Sequence, residues 1–405
     1  MEKNFLVFDL VEGGYSVSAK SGATLEGALV IPETYNGKPV VKIGDSAFHR
    51  CSGLTSVTIP DTVTTIGESA FASCYGLTSI AIPDGVTAIG EATFYHCFGL
   101  TSVHIGDGVT TIGSLAFTDC VGLTSINIPD TVTTIGNGAF SDCPRLTSIT
   151  IPEAVTTIGV LAFADCRGLT SITIPEAVTT IEESAFEGCS GLTSITIPDA
   201  VTTIGNEAFS GCSGLTSITI PDAVTTIGNE AFAACSGLTS ITIPEAVTAI
   251  GDWAFLDCSG LTQIEVNEAN TAYCSVDGVL YDKTKNTILC CPQGRQGDFS
   301  VPETVTTIGN EAFCGCSDLK SITIPDTVTT IGSEAFLGCD GLEQITCYAT
   351  TPPRISSFHS YLTFENSYYE NATLYVPEDV VEDYRRHEWG KFRNIVGIVP
   401  ANNME

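Results

Sequence analysis

The chain is 405 residues long and carries 47 Asp+Glu against 16 Lys+Arg, a formal net charge of −31. That balance makes extended contact with phosphate backbones unfavourable and excludes nucleic acid as a partner class. A hydrophobic share of 43% excludes disorder, while no apolar run of about 18 residues offers a membrane span and Met1–Val11, broken by Asp9, does not read as a secretory signal.

Taken in chain order, residues 1–30 are irregular, with FLVF and YSVSA reading as strands, and form an N-terminal cap. Residues 31–51, IPETYNGKPVVKIGDSAFHRC, make an expanded first coil with five extra residues at its corner. From there one pattern recurs every 23 residues. Phe48, Phe71, Phe94 and their successors to Phe255 keep this step, each three residues before a Cys in the row Cys51 to Cys258; Phe313, Cys316, Phe336 and Cys339 resume it. A fixed period of this length predicts a solenoid, in which each unit buries its apolar face only against its neighbours.

Within one unit, LTSITIPDAVTTIGNEAFSGCSG from Leu192, the alternation around Ile195 and Ile197 predicts a short strand with Ser194 and Thr196 outward. Pro198 closes it, Asp199 and Ala200 turn the corner, and Val201–Ile204 give a second extended piece. In NEAFSGC the offsets of Ala208, Phe209 and Cys212 predict one helical turn facing inward. The expected fold is therefore an α/β solenoid: a curved stack with a parallel sheet on its concave side, short helical turns on its convex side, and ladders of Leu, Ile, Val, Phe and Cys between.

The array spans residues 31–347 with one interruption near 274–298. From Asn267 to Pro302 the step is 35 residues, and the 12 extra predict a hairpin, GVLY and TILC around DKTKN, projecting from one coil. After Cys347 the segment ATTPPR breaks the pattern. Residues 348–405 read as a C-terminal cap, with strand LYVP, an amphipathic helix over VPEDVVEDYRRHEWGKF that carries Trp389 and Phe392 onto the last coil, and closing strand IVGIV.

The combination LTSITIP followed by V-T-x-I-G-x-x-A-F-x-x-C resembles the BspA-type class of leucine-rich repeats over about residues 25–399. The DGVLYD insertion, the CYATTPP break and the LYVPEDVVEDY ending are similar to those of bacterial members. The resemblance implies a leucine-rich repeat stack in an extracellular or cell-surface protein of host-associated bacteria, acting in adhesion to a host or microbial surface protein or glycan.

Catalytic signatures are missing: no G-x-S-x-G, phosphate loop or dinucleotide fingerprint occurs, and Ser317–Lys320 matches S-x-x-K without companion motifs. No cofactor is implied. The periodic cysteines read as buried thiols, and Cys274 with Cys290, flanking the hairpin, as a candidate disulfide. Zinc is not indicated, because Cys314 and Cys316 are the nearest approach to a ligand pair and Cys316 belongs to the core ladder. His49, His96, His104, His359 and His387 are scattered.

The outward rows are more informative. Ser148, Thr150, Ser171, Thr173, Ser194, Thr196, Ser217 and Thr219, with His104 replacing Thr in its coil, form a nearly uniform hydroxyl face. Such a face either simply suits an exposed sheet or serves as a docking surface for a protein or glycan through many equivalent contacts. A second row is acidic, from Asp61, Asp84 and Asp107 through Asp199 and Asp222 to Glu268, and is a candidate for weak Ca²⁺ bridging. Lys283, Lys285 and Arg295 place bases at the hairpin. The expected function is a noncatalytic binding or adhesion module, with a structural spacer or self-associating scaffold as the alternative.

Overall fold

Each regular unit contributes two short strands, for reasons visible in its residues. Ser194–Thr196 and Thr203–Ile204 are strands; between them Pro198 supplies no amide, and the Val201 amide closes the corner onto the Pro198 carbonyl at 3.0 Å. Identical positions stack: Ser171, Ile172 and Thr173 pair in parallel with Ser194, Ile195 and Thr196, and Thr180 and Ile181 with Thr203 and Ile204. Two parallel ladders therefore run along the array. The Thr-Ile ladder is unbroken from Ala88–Ile89 to Thr157–Ile158, whereas the Ser-x-Thr ladder lapses between Ser102–His104 and Ser125–Asn127 and again beyond Ser148–Thr150. The structure, a computed structural model, describes residues 5–356, 363–364 and 366–399. They form two compact units, Met1–Phe232 and Ala233–Glu405.

The expected helical turn is not formed. Ala208, Phe209 and Cys212 do face inward and are fully buried, but Glu207 (φ 54°) and Gly211 (φ 72°) are left-handed, so the segment is a run of tight turns. The reason lies in the neighbouring coil. Alternate amides turn outward to it, from Glu207 to the Asn229 carbonyl and from Phe209 to the Ala231 carbonyl, both at 2.8 Å. A helical turn would direct those amides along its own axis and leave the stacked carbonyls unpaired.

In the first unit the Phe rings from Phe48 to Phe232 stack face to face, with centroids 5.3–5.7 Å apart and planes within 3–12°. Beside them the thiols are not merely apolar filler. From Cys74 to Cys212 each donates to the Phe carbonyl 26 residues earlier, as Cys166 Sγ does to Phe140 at 3.1 Å and Cys189 Sγ to Phe163 at 3.2 Å. At the start of this unit, Leu6–Val11 and Gly14–Ala19 form an antiparallel hairpin. The extra residues of the first coil make a second, Thr34–Tyr35 against Lys38–Ile43, turning at Asn36 (φ 48°) and Gly37 (φ 76°). Asn-Gly is the pair such a turn favours, because both central residues must be left-handed.

In the second unit the insertion is built into the core instead of projecting. Val279–Asp282 pairs antiparallel with both Tyr273–Val276 and Thr287–Cys290, and the last of these also takes the place of a Thr-Ile strand by pairing in parallel with Thr307–Ile308. Val279, Leu280, Tyr281 and Ile288 are buried, while the turn at Lys283–Asn286 is exposed. Burying four large apolar side chains outweighs the freedom of a projecting loop. The Cys274–Cys290 disulfide is not formed: Cys274 Sγ donates to the Asp282 carbonyl at 3.2 Å, and all the cysteines are thiols.

The expected continuous cap helix is broken. Val381–Arg386 is helical, His387 is extended, and 3-10 turns lie at Glu378–Val380 and Glu388–Lys391. The break lets Trp389, fully buried, donate through Nε1 to the Pro353 carbonyl at 2.9 Å, with Phe392 and Phe364 packed around it. Thr373–Pro377 and Asn394–Ile398 extend the sheet of this unit from Gln344–Cys347.

Candidate binding face

Ser148, Thr150, Ser171, Thr173, Ser194, Thr196, Ser217, Thr219 and His104 are all exposed. The isoleucine between each pair points into the core, as Ile195 does, so alternation alone turns both neighbours outward. Adjacent coils bring like onto like, Ser171 beside Ser194 and Thr173 beside Thr196. Ser217 and Thr219 lie in a coil whose backbone is not paired as a strand, so the face is not one continuous sheet.

These hydroxyls differ from other threonines nearby. Thr193 Oγ1 donates to the Thr170 carbonyl at 3.3 Å and Thr147 Oγ1 to the Thr124 carbonyl at 3.3 Å, tying coil to coil. Among the described residues, the hydroxyls of Ser148, Thr150, Ser171, Thr173, Ser194, Thr196, Ser217 and Thr219 make no such bond and remain open to a partner. The distinction between Thr193 and Thr196 escapes composition, since it depends on which side of the strand meets the preceding coil's carbonyl.

The corner carboxylates Asp61, Asp84, Asp107, Asp199, Asp222 and Glu268 are likewise exposed. They form a row, and Asp84 Oδ1 is engaged by the Asp107 amide at 3.2 Å. Among the described residues, no three His, Cys, Asp or Glu side chains are grouped to hold a metal ion. Two of the bases near the insertion are tied to backbone carbonyls: Lys283 Nζ donates to the Glu268 carbonyl at 3.2 Å, and Arg295 to the Asp277 carbonyl at 2.8 Å while lying 5.0 Å over Phe299. His359 lies outside the described residues.

One surface feature was not anticipated from the periodic pattern. Tyr75 and Phe98 are exposed and stack at 5.0 Å, and beside them Tyr95 stacks on His96, which pairs with Asp119 at 2.9 Å. The signal is present as CYGL and CFGL, the two coils in which an aromatic residue follows the periodic Cys.

The sequence model of the BspA type leucine rich repeat region matches residues 41–170, 156–275 and 293–383, in six copies. The chain belongs to the BspA-type leucine-rich repeat family. A leucine-rich repeat protein from Bacteroides ovatus is 29% identical over 84% of this chain and 92% of its own, with a TM-score of 0.67. A leucine rich cell surface protein from Faecalibacterium prausnitzii is 26% identical, covering 98% and 94%, with a TM-score of 0.40. A T. pallidum leucine rich repeat protein is 30% identical, covering 53% and 90%, with a TM-score of 0.39. None of the curated proteins matches the chain significantly. Among the described residues, no helix of this leucine-rich repeat protein is long and apolar enough to cross a membrane.

Proposed function

We propose that this protein is a noncatalytic binding or adhesion module displayed at a cell surface, docking a host or microbial surface protein or glycan on its Ser/Thr face. The observation that carries the reading is the row of hydroxyls left unused by the fold while their neighbours are consumed in coil-to-coil bonds. Repeated equivalent contacts gain strength when the ligand is itself repetitive. The acidic corner row adds weak, bridging Ca²⁺ sites to this reading, and its charge turns nucleic acid away. Surface display rests on family membership.

Labelled protein applied to immobilised matrix proteins, glycans and cells tests the assignment against a variant carrying Ser194→Lys, Ser217→Lys and Thr219→Lys. Binding is expected to fall at least tenfold with an unchanged circular dichroism spectrum. Undiminished binding would reject the face. A spacer or self-associating scaffold is the second reading, favoured by the unchanged recurrence of residues 192–209 at 215–232, which serves length as well as recognition.

A further inference from the structure

The insertion alters the core ladder in one coil. In regular coils the Phe amide donates to the next coil's Ala carbonyl, as from Phe209 to Ala231 at 2.8 Å. The next coil's thiol then addresses that Phe carbonyl, as Cys212 does Phe186 at 3.2 Å. In the interrupted coil both roles fall to Cys291: its amide donates to the Ala312 carbonyl at 2.6 Å, and Cys316 Sγ approaches its carbonyl at 3.7 Å. Cys291 thus stands where a phenyl ring stands elsewhere. Phe299 fills the side toward Phe313, edge to face at 5.2 Å. Toward Phe255 a cavity of about 280 Å³ stays open, walled by Leu280, Leu289 and Cys291.

The mouth of this cavity has a definite chemistry. Asp252, Trp253 and Glu311 line it and are shared with an adjoining depression of about 890 Å³, where Glu334 also lies. Trp253 is 39% exposed. Burial, reinforced by repulsion from Asp252 and Glu334, raises the Glu311 carboxyl to about 7. A cation at the mouth would relieve that repulsion and gain the face of the indole.

We propose that the opening is a binding pocket for a small aromatic ammonium ion, its ring seated beside Phe255 in the position a Phe holds in other coils and its ammonium between Asp252 and Glu311 at Trp253. The pocket's size and its apolar walls with a few converging polar groups fit a ligand of this kind. It is separate from the Ser/Thr face and independent of that assignment.

Trp253 emission reports occupancy, because the other indole, Trp389, is fully buried in the cap. Titration at pH 8 with 2-phenylethylammonium, 2-phenylethanol and 3-phenylpropionate, paralleled by calorimetry, is expected to give saturable binding of the ammonium at least tenfold tighter than the alcohol, and none of the carboxylate. Lowering the pH from 8 to 5 protonates Glu311 and weakens ammonium binding. Asp252, Glu334, Glu388, Arg354 and His387 also line the adjoining depression, so Glu311→Gln isolates the Glu311 contribution: with Asp252 and Trp253 left in place, it narrows the preference for ammonium over alcohol several-fold and removes most of the pH dependence. Cys291→Phe fills the cavity and abolishes binding with an equal or higher melting temperature; Leu289→Trp blocks it from the other wall should that variant fail to fold. Equal affinity for ammonium and alcohol, no saturable response, or undiminished binding in a folded, filled variant would overturn the proposal.

Discussion

At the scale of single residues, the cysteines do more than fill space. Cys189 is fully buried, its Sγ lies 3.2 Å from the Phe163 carbonyl, and burial pushes its thiol up to about 12. It therefore stays protonated and donates. Cys189→Ala removes both volume and donor and is expected to destabilise by about 1–2 kcal/mol, whereas Cys189→Ser keeps a donor and falls between. Urea midpoints check the order, and an alanine variant as stable as the parent would contradict it. The inward position of these residues was legible, since an unvarying Phe-x-x-Cys step admits little but core. The carbonyl each thiol meets was not, because it belongs to a different coil.

At the scale of elements, strands were legible and turns were not. Alternation in Ser-Ile-Thr and the closing Pro follow from local sterics, so Ser194–Thr196 appears where expected. The turn segment depends on the neighbour. Leu115, Leu161, Glu207 and Trp253 are all left-handed at φ 54–59°, although none of these residue types favours that region. The second left-handed position did leave a trace, being Asp or Gly at Asp142, Asp165, Gly188 and Gly211. Glu207→Asn follows as a test: Asn tolerates this conformation better, giving about 1 kcal/mol, and it removes a carboxylate. Burial and the charges of Glu187, Glu230 and Glu183 raise the Glu207 carboxyl. An acid raised in the folded state opposes folding when ionised, so the charge part of the gain is largest at neutral pH and fades as pH falls through the carboxylate range. Melting at pH 7 and pH 4 separates the two parts; a loss of stability at both would refute the argument. The pocket was illegible for a related reason: LCCPQGR abandons the repeat pattern, so only the hydrogen bonds of Cys291 reveal that it replaces Phe.

At the scale of the whole molecule, the net charge of −31 is concentrated on repeating rows, and from residue 51 to 282 the only bases are Arg145 and Arg167. Like charges one coil apart repel by a few tenths to about 1 kcal/mol per pair in water, and salt screens them. The melting temperature is expected to rise with NaCl up to about 0.5 M, beyond which the Debye length is already shorter than one coil spacing. Melting in millimolar CaCl₂ and in chelator at matched ionic strength distinguishes ion bridging from screening: equal temperatures remove the bridging sites, and a higher temperature with Ca²⁺ supports them. The solenoid itself was legible from the period, and the placement of the insertion strands inside the core was the main departure.

The thiol-to-carbonyl geometry also bears on how the chain matures. Once folded, the thiols from Cys74 to Cys212 are each aimed at a carbonyl one turn away and buried from oxidants, while Cys51, Cys274, Cys290 and Cys314 stay half-buried. The vulnerable form is the newly made, unfolded chain, in which none of the 17 cysteines has the cover that coiling gives.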